Sequence, residues 1–389
     1  LNIRNFGFDS SKSLIPLSKN DTISNGSHRL ASAIYLNKHV KCVKIDVNDE
    51  IYDYKFFYNR KVPISVLDSA AVKFVEYAEN IHIAFLWPRA KRYDREIEKI
   101  IPNIVYRKEI NLNPNGAHNI LSQIYFGEDW LGTEENNFKG SQEKLVECFT
   151  DFEPIRIIAF QADNLDEAFS IKSKVRDLFN AGKHSIHITD TKEEAIRVSR
   201  IVFNDNSIHF LNYAKPNRFM DTHHKLRLFK QFLIHNKISS KDVLLDSSLI
   251  LAAYGIRKAK DIDFFCFDNN KILKKHNDIR LHDEELKYYN LTKNELIYDP
   301  KNYFYFNELK LISFNQLFKM KSKRGEEKDL NDIKMMKAII EKNSLIFILN
   351  RIKQIIYYEK IIFKQKIINL LLFLGLYEII RNIFKRNRV

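Results

Sequence analysis

Cysteine, glycine and long apolar runs are all scarce in this chain of 389 residues. The three cysteines, Cys42, Cys148 and Cys266, are far apart and form no Cys-x-x-Cys pair. This spacing argues against a disulfide framework or a structural zinc site, and it favours the reducing cytosol as the compartment of the protein. The longest apolar stretch, 367–377, includes Asn369 and is shorter than the roughly 20 residues that a membrane-spanning helix needs. No signal-peptide pattern opens the sequence, so we expect a cytoplasmic protein.

Positive charge is in excess, but it is unevenly spread. The formal net charge is +14, and from Arg351 to the end nine basic residues face only two acidic ones, which accounts for half of that excess. The body of the chain has no long basic stripe interleaved with aromatic residues, which is the pattern expected of a nucleic-acid surface. A small molecule or a glycan precursor is therefore favoured over a polynucleotide as the molecule on which this protein acts.

Apolar strands alternate with amphipathic helices, most clearly from residue 155 onward. The pattern predicts an α/β chain of mixed α+β character with several domains. We expect the boundaries at 1–110, 111–225 (an α/β middle domain), 226–340 and 341–389 (a basic amphipathic helical tail). The predicted strands are 14–17, 40–47, 81–87, 155–160, 185–189, 207–211, 243–245 and 303–312, and the predicted helices are 27–36, 89–101, 165–179, 191–202 and 223–235.

Residues 243–267 carry the strongest chemical pattern: a strand, a turn with two hydroxyls, a helix, a basic loop, and a strand that opens Asp-Ile-Asp. Alternate residues of a strand face the same side, so Asp261 and Asp263 can present two carboxylates to one divalent cation. The hydroxyls of Ser247 and Ser248, with free N–H groups at the helix start, can hold the triphosphate that the metal bridges. Positioning and charge neutralisation are most of what phosphoryl-type transfer requires. The pattern predicts Mg²⁺ and ATP, or another nucleoside triphosphate, as cofactors.

This stretch resembles the polymerase-β-like nucleotidyltransferase superfamily, in which a Gly-Gly or Gly-Ser turn precedes Asp-x-Asp. The segment 309–333 is similar to the family's closing strand and the helix after it, so the resemblance covers about residues 240–340. It implies that Asp261 and Asp263 are the catalytic metal ligands. Lys258, Lys260 and Arg257, in the loop before the second strand, could neutralise phosphate charge.

Two departures from that family pattern stand out. Asp246-Ser247-Ser248 takes the place of the glycine turn, and a third carboxylate is not evident. We take Glu308, in the predicted strand 303–312, as the candidate for the third acid. The alternative is that the two aspartates merely cap the end of a strand.

A second anion-binding pattern lies near the start of the chain, where Gly26, Ser27, His28 and Arg29 open a helix after a polar turn. Residues 9–46 resemble the ParB/sulfiredoxin-like fold, which implies that these four residues contact a nucleotide phosphate. Ser27 stands where sulfiredoxins carry cysteine, so sulfinic-acid reduction is not expected. The ordinary alternative is a helix cap with Arg29 in a salt bridge.

The expected function is a nucleotidyl- or phosphoryltransferase acting on a small molecule or a glycan precursor, with surface polysaccharide biosynthesis as one setting. Two alternatives remain open: an ATP-dependent small-molecule kinase that uses the N-terminal site, and a non-enzymatic DNA-binding protein of partition or antitoxin type. His187 and His209, on strands predicted to be neighbours, could line a substrate site or be ordinary core histidines. The tail at 345–389 could lie on the inner face of the membrane, or pack on the protein or on another subunit.

Overall fold

The computed structural model describes residues 2–49, 52–340, 363–364 and 366–377. It mixes helices with several β-sheets, which confirms the expected mixed α/β class. The chain divides into two compact units, Leu1–Pro63 and Ile64–Val389.

The first unit is small and contains one two-stranded sheet. Strands β1 and β2 pair in parallel, from Ile15 opposite Cys42 to Leu17 opposite Lys44. The predicted helix at 27–36 and strand at 14–17 are confirmed to within a residue, whereas the strand predicted at 40–47 is only three residues long. Its elements are α1 (Asn2–Phe6), β1 (Ile15–Leu17), α2 (Ser27–Tyr35), β2 (Cys42–Lys44) and α3 (Tyr54–Asn59).

The second unit begins with a four-stranded sheet in the order β4-β5-β3-β6, in which every neighbouring pair is antiparallel. The two central strands, β3 and β5, are mostly apolar and almost completely buried, and they place Phe85 and Phe160 in the core, whereas the edge strand β4 carries three consecutive charged residues at 107–109. Its elements are α4 (Ile64–Tyr77), β3 (Ile81–Leu86), α5 (Asp94–Ile100), β4 (Ile104–Ile110), α6 (Pro114–Ile124), α7 (Gly140–Cys148), β5 (Ile155–Gln161), α8 (Leu165–Phe179), β6 (Ile186–Ile188) and α9 (Lys192–Val202).

The chain does not divide where the first domain was expected to end, at residue 110. Strands β3 and β4 both precede that position, yet both pair with β5, which follows it. Hydrogen-bonded strands of one sheet share one core, so the structure places the boundary after Pro63 instead.

A five-stranded sheet follows, in the order β10-β11-β7-β8-β9. Strand β7 runs antiparallel to β8 and parallel to β11, and β9 runs parallel to β8. Leu244, Phe265 and Leu311 are fully buried in its core. Its elements are α10 (Asp205–Tyr213), α11 (Asp221–His235), β7 (Val243–Asp246), α12 (Ser248–Ala253), β8 (Ile262–Cys266), β9 (Ile279–Leu281), α13 (Lys293–Tyr298), β10 (Tyr303–Phe306), β11 (Leu309–Ile312), α14 (Phe314–Arg324) and α15 (Glu327–Ile340).

Two of the predicted strands are wrong. Residues 207–211 lie inside helix α10, which Asn204 caps by accepting a hydrogen bond from the Ser207 N–H at 2.9 Å. A short apolar run does not distinguish a strand from a buried helix by periodicity alone. The strand predicted at 303–312 is a hairpin whose turn residues, Asn307 and Glu308, both have positive φ, as a tight two-residue turn requires.

Most of the predicted tail, 341–389, lies outside the described residues. Residues 363–364 and 366–373 are helical. Among the described residues, no helix has the length and apolar character required to span a membrane.

Candidate functional site

The candidate site begins at the turn between β7 and α12. Ser247 has φ 63° and ψ −131°, a region that glycine enters freely and that strains a residue with a side chain. The sequence lacks the expected glycine, but the backbone adopts a glycine-type conformation with a serine. Strain of this kind persists only where the surrounding structure enforces it, and it is concentrated at functional sites.

Ser248, the first residue of α12, has an unusual hydroxyl. Its Oγ is buried and finds no hydrogen-bond partner among the residues that the structure describes. Most buried polar atoms are hydrogen-bonded, so an isolated hydroxyl of this kind indicates a group that a ligand could satisfy.

The acid pair, Asp261 and Asp263, lies on the neighbouring strand. Asp263 is directly opposite Asp246 in the antiparallel pairing of β7 with β8. Ile262 and Phe264 are buried, while the two aspartates that alternate with them remain partly exposed. The side chain of Asp261 is 25% exposed, so solvent reaches this face. Asp263 is the second residue of β8 and Asp261 directly precedes that strand. The charge of Asp261 raises the pKa of Asp263, so the two carboxylates are close enough to interact.

A third aspartate, Asp246, lies directly across from Asp263 on the neighbouring strand β7 and is fully buried. One carboxylate oxygen of Asp246 accepts a hydrogen bond from the Tyr289 hydroxyl at 2.7 Å, and the other lies 2.7 Å from His282 Nδ1. Burial lowers the pKa of His282, but the hydrogen bond and the negative charge of Asp246 outweigh that effect and raise it. The protonated imidazole is thus favoured, and it forms a charge-assisted hydrogen bond that holds Asp246 in place.

The charges around Asp263 are not balanced. Burial raises the pKa of this carboxyl, and the carboxylates of Asp261 and Asp246 raise it further, against the opposing effects of His282 and the Ser247 hydroxyl. The only cation near the pair that forms an ion contact within the described ranges is Arg280, whose Nη1 lies 3.8 Å from Asp261. A partly exposed acid pair with unbalanced charge is a typical functional-site arrangement.

The acid pair also suits a magnesium ion. No group of three or more His, Cys, Asp or Glu side chains in the described part of the chain is arranged as a complete metal site. Mg²⁺ does not need one, since proteins commonly bind it through one or two carboxylates while substrate phosphates and water complete the octahedron. Both oxygens of Asp246 are already hydrogen-bonded, which leaves Asp261 and Asp263 as the available ligands.

A second set of charges, which we call the buried ion network, joins the loop before β8 to helices α14 and α15. Lys321 Nζ lies 2.8 Å from both Asp329 and Asp332, and all three side chains are almost completely buried. Arg257 makes two hydrogen bonds to Asp332, at 2.6 and 2.8 Å. Arg324 completes the network by bonding Asp329 in the same way.

The predicted phosphate-neutralising lysines, Lys258 and Lys260, are both exposed. Lys258 directly follows Arg257, and Lys260 directly precedes Asp261. The loop that carries them is held at one end by the buried ion network and at the other by β8. Their charges are therefore close to the acid pair in the chain and accessible to solvent.

The structure contradicts the choice of Glu308 as the third acid. Glu308 lies in the turn of the β10–β11 hairpin, and its carboxylate accepts a hydrogen bond from Lys230 at 2.8 Å. Strand β11 is parallel to β7, with Leu311 opposite Leu245, so Glu308 is at the end of the sheet where β7 begins. The acid pair is at the opposite end. The error arose because the hairpin was read as one continuous strand.

The N-terminal pattern is found at the start of α2, as predicted. Gly26 has φ 89° and precedes the helix, and Ser27 and His28 are exposed. The guanidinium of Arg29, however, is already bound within the first unit, where it donates hydrogen bonds to the Ser13 hydroxyl and the Leu14 carbonyl oxygen. The phosphate-binding role of these residues remains a prediction.

The two middle histidines are not on neighbouring strands. His187 is on β6 and lies 3.0 Å from the Glu194 carboxylate, whereas His209 is on helix α10 and bonds the Tyr254 hydroxyl at 2.9 Å. Burial lowers the pKa of His209 to about 4, so it is neutral near pH 7. His209 is an ordinary core histidine, and no shared site with His187 forms.

Sequence reasoning did not identify the role of Asp246, nor its partners His282 and Tyr289. These residues are 36 and 43 positions away along the chain, and only the sheet pairing brings them to Asp246. Comparison with known proteins gives no further guidance, because no family model, curated protein or solved structure matches this chain.

Proposed function

We propose that the protein is a magnesium-dependent nucleotidyl- or phosphoryltransferase that acts on a small molecule or a glycan precursor, with its active site at the end of β7 and β8. The observation that carries the proposal is the strand pairing that sets Asp263 opposite Asp246, together with the mutual influence of Asp261 and Asp263, which are two residues apart. The acid pair is partly exposed, and its charge is unbalanced. The finer architecture implied by the resemblance, a nucleotidyltransferase-like domain over about residues 240–340, belongs to the same proposal.

Each side chain has a definite task in this proposal. Asp261 and Asp263 hold the metal, which supplies charge neutralisation when bound. Asp246 holds His282 and Tyr289 beside the pair and keeps this part of the site rigid. The Ser248 hydroxyl, which is otherwise without a partner, donates to a phosphate oxygen.

Cations that remain accessible support the choice of a phosphorylated substrate. Lys258 and Lys260 are exposed and reach solvent beside the acid pair. Arg257 is not available in the same way, because Asp332 holds its guanidinium. The two lysines can therefore neutralise a triphosphate without breaking an existing ion pair.

A thermal-shift titration of the full chain tests the binding step. ATP, GTP, CTP and UTP are each added with and without MgCl₂, because a ligand that binds the folded state raises the melting temperature by mass action. At least one nucleotide should stabilise the protein, and should do so more strongly with Mg²⁺. The stabilisation should be lost in Asp263→Asn.

Glu308→Gln is the matched control, since it removes one carboxylate charge at the opposite end of the same sheet. It should keep the magnesium-dependent shift. A shift of equal size in Asp263→Asn, or no shift with any of the four nucleotides, would contradict the proposed site.

A further inference from the structure

A large cavity in the second unit lies away from the acid pair, against the four-stranded sheet. Its volume is about 1240 Å³, and its walls come from the end of α6 and the segment after it, from α7 and α8, from β6 and its flanking segments, from α9, and from Lys364 and Ile368 of the tail. A cavity of this size can accommodate a small molecule of several rings or sugar units. The proposed transferase chemistry makes no use of it.

One wall of this cavity carries three cations and a histidine. Lys144, Arg176 and Lys183 line it together with His184, and within the described ranges none of the four has a carboxylate within ion-pair distance. Lys144 Nζ donates instead to the carbonyl oxygen of Lys183 at 2.8 Å. Burial and the positive charge of Lys144 lower the pKa of His184, so its neutral imidazole is favoured near pH 7. Glu147 also lines this wall, but its carboxylate is paired with Arg89.

Most of the other charged groups of the cavity are already paired. Lys172 lies 3.0 Å from Asp190, and His187 lies 3.0 Å from Glu194. Arg197 donates to backbone carbonyl oxygens at the end of α6. Lys364 adds one more cation to the lining, and the two lining carboxylates without an ion pair to a described residue, Glu128 and Glu143, are at the rim.

Two polar atoms on the cationic wall are buried and lack a hydrogen-bond partner in the part of the chain that the structure describes. They are Nε of Arg176 and Nδ1 of His184. A buried guanidinium N–H with no acceptor is costly, and the acceptor that best matches a guanidinium is an oxyanion. Both atoms are therefore suited to an anion that enters the cavity.

The rim of the cavity has a different character. Glu128 and Glu143 are exposed, and their side chains form no hydrogen bond or ion pair with any described residue. Carboxylates only accept hydrogen bonds, so they suit a ligand rich in hydroxyl donors. Trp130 is 45% exposed beside them and packs edge-on against Tyr125, with 5.1 Å between the ring centroids. It offers an apolar face for the body of such a ligand.

We infer that this cavity is a second ligand site, which binds a phosphorylated, hydroxyl-rich small molecule of the sugar-phosphate class. The phosphate lies against Arg176, Lys144 and His184, and the hydroxyl groups face Glu128 and Glu143. The site lies on a different sheet from the acid pair, so it does not depend on the proposed transferase function.

The chain has two tryptophans, and one of them lines this cavity, which supplies a local signal. In a Trp87→Phe background, Trp130 is the only remaining tryptophan. Its fluorescence is followed while inorganic phosphate or glucose 6-phosphate is titrated into the full chain, with NaCl adjusted to keep the ionic strength constant. Both probes should give a saturable change, and glucose 6-phosphate should bind more tightly because it also reaches the rim.

Arg176→Gln in that background should weaken both probes by about tenfold or more, since it removes a charge-assisted contact. Lys183→Gln is a second variant at an exposed position, where it removes no core packing, and it should weaken the binding of both probes by a smaller factor. Lys174→Gln is the matched control, because Lys174 is an exposed cation on the same helix as Arg176 and does not line the cavity. It should leave binding unchanged.

Three outcomes would overturn the inference. The first is a titration with no saturable change. The second is equal weakening by Lys174→Gln and Arg176→Gln, which would show general charge attraction rather than a site. The third is loss of binding in Asp263→Asn, which would place the probe at the acid pair. Retained binding in Asp263→Asn supports the second site even if the transferase proposal fails.

Discussion

Two groups of aspartates lie close together in the second unit, and their charges are balanced in opposite ways. In the buried ion network, Asp329 and Asp332 are each matched by two cations. Although burial raises the pKa of Asp329, Arg324 and Lys321 lower it to about 2. At the acid pair, burial and neighbouring carboxylates raise the pKa of Asp263, and the nearest ion contact is 3.8 Å long.

The comparison separates structural acids from functional ones. An aspartate with a structural role is paired with cationic side chains of the protein, whereas an aspartate that binds a metal ion lacks such close pairs in the absence of the metal. Repulsion retained at one site is a cost in stability that function commonly requires. The four predictions below test whether the two groups differ in this way.

The largest effect should be on turnover. Asp263→Asn removes one of the two available metal ligands, and we expect a loss of magnesium-dependent nucleotide turnover of about a thousandfold. Release of pyrophosphate or phosphate from the nucleotide identified by thermal shift gives the measurement. Glu308→Gln should retain turnover within about twofold, and comparable losses in the two variants would remove the distinction between the two ends of the sheet.

The second largest effect should be on the free energy of unfolding, when the buried ion network is disrupted. Lys321→Met leaves Asp329 and Asp332 buried with fewer counter-charges, which should destabilise the protein by about 3–5 kcal/mol. Urea unfolding monitored by circular dichroism measures the change. Lys323→Met, on the same helix but exposed, should change stability by less than about 0.5 kcal/mol. A mild effect of Lys321→Met would show that the network is not structural.

Asp263→Asn should have the opposite effect on stability, raising it by about 1 kcal/mol at pH 7 because it removes the repulsion within the acid pair. The sign follows from linkage: the pKa of Asp263 is raised in the folded state, so the wild type loses stability as pH rises from about 3.8 through that raised value. The difference in the free energy of unfolding between the variant and the wild type should therefore grow over this pH window and then become constant. Urea unfolding at several pH values measures that difference, and saturating MgCl₂ should reduce it.

The smallest effect concerns the hydroxyl without a partner. Ser248→Ala removes a buried group that makes no hydrogen bond to a described residue, so the apoprotein should be unchanged or stabilised by up to about 1 kcal/mol. The same variant should weaken nucleotide binding severalfold, as seen in the thermal shift. Ser313→Ala is the contrast, because the Ser313 hydroxyl caps α14, and its loss should destabilise by about 1 kcal/mol. Destabilisation by Ser248→Ala would show that its hydroxyl already has a structural use.

The sequence was a good guide where a feature depends on local spacing. The serine turn between β7 and α12 and the helix at 165–179 follow from patterns within a few residues, and the structure has them where they were expected. The strand that carries Asp263 is also present, although it begins at Ile262, one residue after Asp261. The backbone conformation of the turn could not have been predicted, because Ser247 adopts a glycine-type conformation that its residue type does not favour.

Features that depend on distant pairing were missed. Asp246 looked like a departure from a glycine turn, but it is a buried anchor for His282 and Tyr289. Glu308 was misplaced because the ten-residue segment 303–312 was read as one strand, whereas it contains a two-residue turn. The cavity was also missed, since its walls come from six separate parts of the chain.

The double hydrogen bond between Arg257 and Asp332 links two parts of the protein mechanically. One partner is four residues before Asp261, and the other is in the middle of helix α15. A displacement of that helix therefore either pulls the loop and the first aspartate with it or separates a largely buried ion pair. The position of α15 is thereby coupled to the position of Asp261 for as long as this ion pair is intact.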